Sequence, residues 1–495
     1  MKKGKFKVVR DERLCDQCGG CISQCANKVH YQDQDQIKIR HQHCVNCQRC
    51  VEFCHCNALS IIKEENVFHP HPLWSQQIIE EISKQANSGG ILLSSMGTQQ
   101  SYPIYFDHLL LNASQVTNPS IDPLREPIET TTFLGKRTHD VKRSQEGKLE
   151  IEEYPSLKLN TPILFSAMSF GSISFNAHQA LLEAAKELGI YYNCGEGGLL
   201  EAFYKDQDSI IVQVASGRFG IDPSYLNHSA AVEIKIGQGA KPGIGGHLPS
   251  IKNKGLVSKT RRIKEYSESI SPAPHHDIYS IEDLKQLVDS LKEATHHQKP
   301  IIVKVAAVHN IAAICSGIAR SGADIIYIDG FKGGTGAAPT RIRDHVGIPI
   351  ELALASVDET LRKEGIRENV SLIAAGGIRH SADVVKAIAL GADAVAIGTA
   401  ALIALGCHLC SDCMSGTCNW GIATQEESLC RRLNAKKGAQ QLVNLIQAWT
   451  REIQEMMGGM GINAIESLRG NRLMLRGIHL SAEELDILGV KHAGR

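Results

Sequence analysis

The chain's 16 cysteines are gathered rather than scattered, and that gathering is the first sign of chemistry. Nine stand in the first 56 residues and four more lie between Cys407 and Cys418, leaving Cys194, Cys315 and Cys430 elsewhere. Cys15, Cys18, Cys21 and Cys25 are separated by two, two and three residues, and Cys44, Cys47, Cys50 and Cys54 repeat that spacing 18 residues later. Three thiolates so close can grip one face of an iron–sulfur cubane, with the fourth cysteine left to reach across. Zinc ribbons also use CxxC pairs, but they rarely compress four cysteines twice in this order. Clustering of this kind in a long chain without a secretory leader favours metal ligation over disulfides. Cys56 is left over and reads as a bystander thiol. A second group of candidates is glycine-rich: AAGGI (374–378) and IGTA (397–400). Gly376, Gly377 and Gly398 would let the backbone approach an oxyanion with no Cβ in the way, although tight strand–helix packing also uses such glycines. GGTGAAP (333–339) looks like part of a dinucleotide fingerprint. Pro339 stands where the third glycine should pack a helix on the sheet, so a nicotinamide site is not expected.

The elements that must hold these groups are legible as a change of pattern at Pro162. Eight short apolar runs follow: PILFSAM, YYNCG, IIVQVA, VEIKIG, IIVKVA, IIYIDG, SLIAAGG and AVAIGT. Helical periodicity lies between several of them, in HQALLEAAKELG, IEDLKQLVDSLKEA, IAAICSGIARSG and SADVVKAIALG. Strands alternating with helices pair in parallel, and eight such units close into an α/β (β/α)8 TIM barrel, with a doubly wound open sheet as the runner-up. The two glycine stretches then follow the last two strands, where such barrels commonly bind phosphate. The expected organisation is a Cys-rich unit at 1–64, a structured connector at 65–160, the barrel at 161–420 and a helical extension at 421–495 that caps it. Lys plus Arg and Asp plus Glu are both 53, which gives no support to a nucleic-acid or acidic-membrane partner. Hydrophobic residues at 43% and charged residues at 21% argue against disorder. The basic start, MKKGKFKVVR, has no apolar stretch behind it, and the run Ala394 to Cys407 is too short to span a bilayer, so a cytoplasmic protein is expected.

The N-terminal spacing resembles that of bacterial two-cluster ferredoxins, with Ala26 and His55 where a proline usually follows the fourth cysteine. That resemblance implies one [4Fe–4S] cluster on Cys15, Cys18, Cys21 and Cys54 and a second on Cys44, Cys47, Cys50 and Cys25. Further on, SAMSFGSIS (166–174), NCGEGG (193–198), QVASGRFG (213–220), GQGAKPGIGGHLP (237–249), SPAPHHDIYSIEDL (271–284), GGTGAAP and IGTAALIALGC (397–407) follow in order. Together they resemble the FMN-binding synthase domain of glutamate synthases across nearly all of residues 100–425. The short archaeal type, with a ferredoxin unit ahead of the synthase domain, is the most similar. The resemblance implies FMN bound at Ser169, Gly171, Lys304, Gly333, Gly334, Gly376, Gly377, Gly398 and Thr399. It also implies reductive amination of 2-oxoglutarate by ammonia, through 2-iminoglutarate, to L-glutamate, with electrons passing from iron–sulfur clusters to FMN. Cys407, Cys413 and Cys418 match the family's ligands for a [3Fe–4S] cluster. Cys410 splits the first interval into CxxCxxC, so a fourth ligand and a third [4Fe–4S] cluster stay open.

A dicarboxylate site needs cations at strand ends. Arg218 and Lys241 are the expected carboxylate clamps, with Gln238 as a polar partner. Lys304, near the end of IIVKVA, is expected beside the flavin ring, and Glu196 is expected to orient the imine or ammonia. The chain departs from the family pattern at Val212, Ile244 and His247, and at Leu199 and Leu200 after GEGG. Lys235 or Lys241 is expected to compensate. The alternatives are the synthase-like component of N-methylglutamate synthase, handling methylamine, and a non-catalytic electron-relay subunit. Bound FMN without turnover of any amine and oxo acid would mark the relay. Because the chain begins Met1-Lys2, with no N-terminal cysteine nucleophile and no FAD or NADPH fingerprint, a separate glutaminase chain and a ferredoxin or reductase chain are expected partners, in an oligomer.

Overall fold

A computed structural model of the chain describes residues 5–63, 75–137, 140–144, 147–152 and 154–495. The eight apolar runs form β1 (Ile163–Phe165), β2 (Tyr192–Asn193), β3 (Ile210–Ala215), β4 (Ala231–Lys235), β5 (Ile301–Ala306), β6 (Ile325–Asp329), β7 (Ser371–Ala375) and β8 (Ala394–Ile397). Apart from Lys235 every residue in them is buried, as parallel strands covered on both faces must be. All neighbours are parallel, and β8 returns to β1 with Ile163 opposite Val395. That last pairing closes the barrel and sets the open sheet aside.

The wall consists of α1 (Phe175–Leu188), α2 (Ile281–Ala294), α3 (Ile311–Arg320), α4 (Ile350–Lys363), α5 (Ser381–Leu390) and α6 (Ala435–Met460). Side-chain caps fix several starts: Ser174 accepts from the Ala177 amide, Ser280 from Asp283 and Asn434 from Lys437. The helical extension expected after residue 420 packs along the barrel's flank. The 26-residue α6 lies along α1 and α5, with Leu442, Val443, Ile446, Trp449, Ile453 and Met457 forming its buried stripe. An apolar stripe that long needs a long partner surface, and the gap between the last and first wall helices supplies it.

The connector is woven into the barrel. Leu93–Ser94 pairs with Ala338–Pro339, and Leu109–Leu111 pairs with Leu475–Gly477 near the C-terminus. A hairpin-like pair, Thr132–Leu134 with Leu157–Leu159, presses Leu134, Leu157 and Leu159 against Leu164, Ile211, Ile302 and Ile373. This apolar plug fills the mouth at the strands' N-terminal ends. Around it, Asp393 is wholly buried among Arg137, Arg367 and Arg469 at 2.7, 2.8 and 3.0 Å. The connector carries a helix at Gln76–Ser88, and residues 64–74 lie outside the described residues.

In the N-terminal unit Phe6–Arg10 pairs antiparallel with Leu59–Lys63, and His30–Asp33 with Gln36–Ile39. Val8, Val29 and Leu59 form its small core, against which Cys21, Cys25, Cys44, Cys50 and Cys54 pack. Among the described residues, no helix is long and apolar enough to cross a membrane.

Candidate active site

Because the hairpin fills one mouth, the open end of the barrel lies at the strands' C-terminal ends. There the loops surround a cavity of about 560 Å³. Glu196, Gln238, Lys241 and Lys304, all expected at the site, line it. Ser169, Gly333, Gly334, Gly376, Gly377, Gly398 and Thr399 do as well. Arg218 and Gly171 do not. Arg218 instead donates to Asp277 at 2.6 Å in an exposed pair that ties two loops together. Gly171 has φ 105°, and a Cβ there would sit 2.8 Å from both Leu248 and Val257. Its use is packing.

The charges inside the cavity are tightly arranged. Lys304 meets Asp329 at 3.3 Å and lies over the Tyr327 ring. Burial works against its charge, but Asp329, Tyr327 and Glu233 prevail and raise its pKa. Glu196 meets Lys235 at 3.1 Å and accepts from Ser271. Burial alone would raise its carboxyl, yet Lys235, Ser271 and Arg261 outweigh burial and hold it at about 2. Lys241 is buried and donates to the Ala337 carbonyl at 2.9 Å. Burial, and then Lys235, bring it down to about 7. Gln238 donates to Thr335 at 3.2 Å.

Sequence reading missed Arg261, Asp329, Lys332 and Arg379, and it missed Met96 to Gln99, which the connector contributes to the lining. Asp329 carried a signal, since an acidic residue closing a buried strand marks a barrel's functional end. The connector residues carried none. Met96 is brought in by the hydrogen bond that its N–H donates to the Thr335 carbonyl at 2.7 Å, a contact no local pattern encodes.

The glycine stretches behave as a cradle. Gly376 and Gly377 have φ 102° and 99°, where any side chain would be strained. A Cβ on Gly376 would meet the Gly330 carbonyl oxygen at 2.5 Å, so the loops after β6 and β7 touch there. Gly398 precedes the helix Thr399–Ala404, whose first amides have no partner within the helix. Lys332 and Arg379 line the same region. The residue types suit a phosphate.

The cysteines converge on the same end of the barrel. Cys25, Cys44, Cys47 and Cys50 line one small cavity, although Cys25 comes from the other half of the duplicated motif. Cys418 lies near Cys407, Cys410 and Cys413, and Cys413 lies near Cys407 and Cys410. Cys413 lines the large cavity, with its sulfur 3.7 Å from that of Met96. Asn419 joins the groups: its side chain donates to the Cys47 sulfur at 3.2 Å and accepts from the Ala26 amide at 2.6 Å. Trp420 donates to the Cys47 carbonyl at 2.9 Å.

Residues 100–463 match the conserved region in glutamate synthase. The chain is 58% identical to the archaeal-type glutamate synthase (NADPH) of Dehalococcoides mccartyi, over 99% of this chain and 98% of that one. The chain belongs to the glutamate synthase family. The archaeal glutamate synthase (NADPH) of Archaeoglobus fulgidus is 56% identical, over 99% and 97% of the two chains. The glutamate synthase (NADPH) large chain of Azospirillum brasilense is 37% identical over 70% of this chain, which corresponds to 23% of its own length. Within this glutamate synthase chain the departures noted in the sequence differ in their consequences. Val212 is buried in the shell between barrel and helices, so that position offers the cavity nothing. Leu199 and Leu200 are buried in the same shell. Ile244 is exposed on its loop, and His247 alone of the five lines the cavity.

Proposed function

We propose that this glutamate synthase chain makes L-glutamate by reductive amination of 2-oxoglutarate through 2-iminoglutarate, with electrons reaching FMN by way of iron–sulfur clusters. One observation carries the reading: a single cavity joins the glycine cradle, the cations Lys235, Lys241 and Lys304, and the thiol of Cys413. The relatives named glutamate synthase over the whole chain support it, and none of them is named for methylamine chemistry or electron relay.

The cradle of Gly376, Gly377, Gly398 and Thr399, with Lys332 and Arg379, fits the FMN phosphate, because bare glycines at positive φ leave room for an oxyanion against the backbone. FMN, when bound, supplies a reductant that takes electrons singly and gives them up in pairs. Lys304 keeps its proton and offsets negative charge in the cavity. Lys241 and Lys235 bind the carboxylates of 2-oxoglutarate. Glu196, held at about 2, stays a carboxylate and orients ammonia or the imine by accepting its N–H groups.

Cys15, Cys18, Cys21 and Cys54, and then Cys25, Cys44, Cys47 and Cys50, are the ligands of two [4Fe–4S] clusters in this reading. The cavity lined by the second set supports the crossed ligation of Cys25. Four thiolates on one zinc at about 2.3 Å would draw their sulfurs to roughly 4 Å apart. Among the described residues, only Asp16, His55 and Cys56 bring three metal-ligating atoms within 4.8 Å of one another. A third cluster lies on the 407–418 segment, between the N-terminal unit and the large cavity. A separate glutaminase chain and a ferredoxin or reductase chain supply ammonia and electrons.

The test uses anaerobically purified protein reduced with dithionite and given 2-oxoglutarate and ammonium. Glutamate should accumulate, and denaturation should release FMN and not FAD. Iron- and FMN-replete protein that forms no more glutamate than the enzyme-free control overturns the proposal.

A further inference from the structure

Three stretches of this chain read CxxCxxC: 15–21, 44–50 and 407–413. In the first, Gln17 and Gly19 have φ 58° and 73°; in the second, Asn46 and Gln48 have φ 56° and 61°. The residues on either side of the middle cysteine are thus both left-handed. Leu409 and Ser411, on either side of Cys410, repeat this with φ 53° and 59°. Left-handed backbone is costly away from glycine, and Leu409 has no polar side chain to ease it. A loop that takes on that cost twice, at the same two positions, is bent for the same purpose: to turn the middle thiol to the side of its two companions.

The amides follow the same plan. The Asn46 N–H faces the Cys44 thiol and the Arg49 N–H faces that of Cys47. The Leu409 and Asp412 amides stand in the same relation to Cys407 and Cys410. In each loop the third cysteine sits in a helical turn, Gly20–Gln24, Arg49–Glu52 and Cys413–Ser415. Cys410 is partly buried with Cys413 and Cys418 around it, not turned out to solvent.

We infer that Cys410 is a ligand, so that Cys407, Cys410, Cys413 and Cys418 hold a third [4Fe–4S] cluster in place of the [3Fe–4S] cluster that three cysteines would hold. This rests on the iron–sulfur reading of the 407–418 segment and goes beyond it in the number of irons. Three-thiolate ligation leaves one cubane corner without a ligand, and a cubane corner so placed gives up its iron; Cys410 supplies that corner.

The experiment is iron analysis with Mössbauer and EPR spectroscopy on the full chain, purified anaerobically. Wild type should carry about twelve irons, four for each of three cubanes, and show no three-iron signal when oxidised. Cys410→Ala should lose about one iron per chain and gain the paramagnetic signal of an oxidised three-iron cluster. A wild-type protein with a stoichiometric three-iron component, left unchanged by Cys410→Ala, overturns the inference. If the variant fails to assemble, the wild-type Mössbauer spectrum decides alone: cubane iron throughout supports the inference, and a three-iron component overturns it. Absence of glutamate formation in a twelve-iron, FMN-replete wild type would sink the proposed activity and leave this ligand assignment standing.

Discussion

An ammonium sealed at 3% exposure, beside another lysine and hydrogen-bonded to a backbone carbonyl, gives up its proton readily. For Lys241 this sets two opposed expectations. Its cationic form, which pairs with carboxylate, prevails below about 7 and is lost above it. The KM for 2-oxoglutarate should therefore rise as pH climbs through that value. Lys241→Met should flatten the profile and raise KM by roughly thirtyfold, the equivalent of about 2 kcal/mol for a carboxylate left without one partner. Steady-state kinetics from pH 6 to pH 9 will show whether it does. Stability runs the other way. The folded pKa lies below the unfolded value of 10.5, so the unfolded chain binds the extra proton between about 7 and 10.5, and stability rises with pH across that window. Lys241→Met removes a buried charge and should stabilise the ligand-free protein at pH 7 by about 1–4 kcal/mol, read from denaturant unfolding of wild type and variant. At this scale the sequence showed which residue types were at hand, not where they point. Lys241 and Glu196 stood in legible glycine-rich loops, while Arg218 found Asp277, a partner 59 residues away that no spacing rule discloses.

Strands buried on both faces leave unbroken Ile and Val runs, and this is why all eight barrel strands were readable before the fold. An amphipathic stripe declares only that a face is covered, so α6 was legible as a helix and illegible as wall. The ion pairs under the plug were hidden for the same reason. Asp393, just before β8, binds Arg137 of the connector, Arg367 before β7 and Arg469 near the C-terminus. Burial alone would raise its carboxyl, but these three arginines outweigh burial and hold it at about 2. Its contribution to stability is present above the unfolded value of 3.8 and disappears as pH falls through about 2. Asp393→Asn should cost about 3–5 kcal/mol at pH 7, since it strands buried cations, and the difference from wild type should shrink in acid; urea unfolding at pH 7 and pH 3 would measure both. At the opposite end, Gly376→Ala sets a Cβ against the Gly330 carbonyl and should weaken FMN retention by about fivefold or more, given strain of about 1–3 kcal/mol. Flavin fluorescence after gel filtration reads that loss directly.

At the level of the whole molecule the N-terminal unit is seated on the barrel by Asn419, Trp420 and Arg432. Arg432 donates to the carbonyls of Gln24 and Ser23, each at 2.9 Å, and Arg49 lies over the Trp420 ring. Nothing in the sequence joined residues some 400 positions apart. The cysteine spacing grouped the thiols within each unit, and the docking that brings the N-terminal unit against residues 419–432 is a tertiary fact. Hydrogen bonds to cluster sulfurs tune reduction potential, and the Asn419 side chain donates one to Cys47. Asn419→Ala should therefore lower the midpoint potential of the cluster proposed on Cys25, Cys44, Cys47 and Cys50 and leave unchanged the one proposed on Cys15, Cys18, Cys21 and Cys54; an anaerobic redox titration followed by EPR separates the two. The apolar hairpin beneath the barrel has a further consequence, for traffic. Among the described residues Leu134, Leu157 and Leu159 make the barrel a cup and not a pipe, so the substrates and product of the proposed reaction share one rim. For the proposed reaction this means that a chain donating ammonia would deliver it at the rim where the Cys-rich unit is seated, and the two would compete for one circumference.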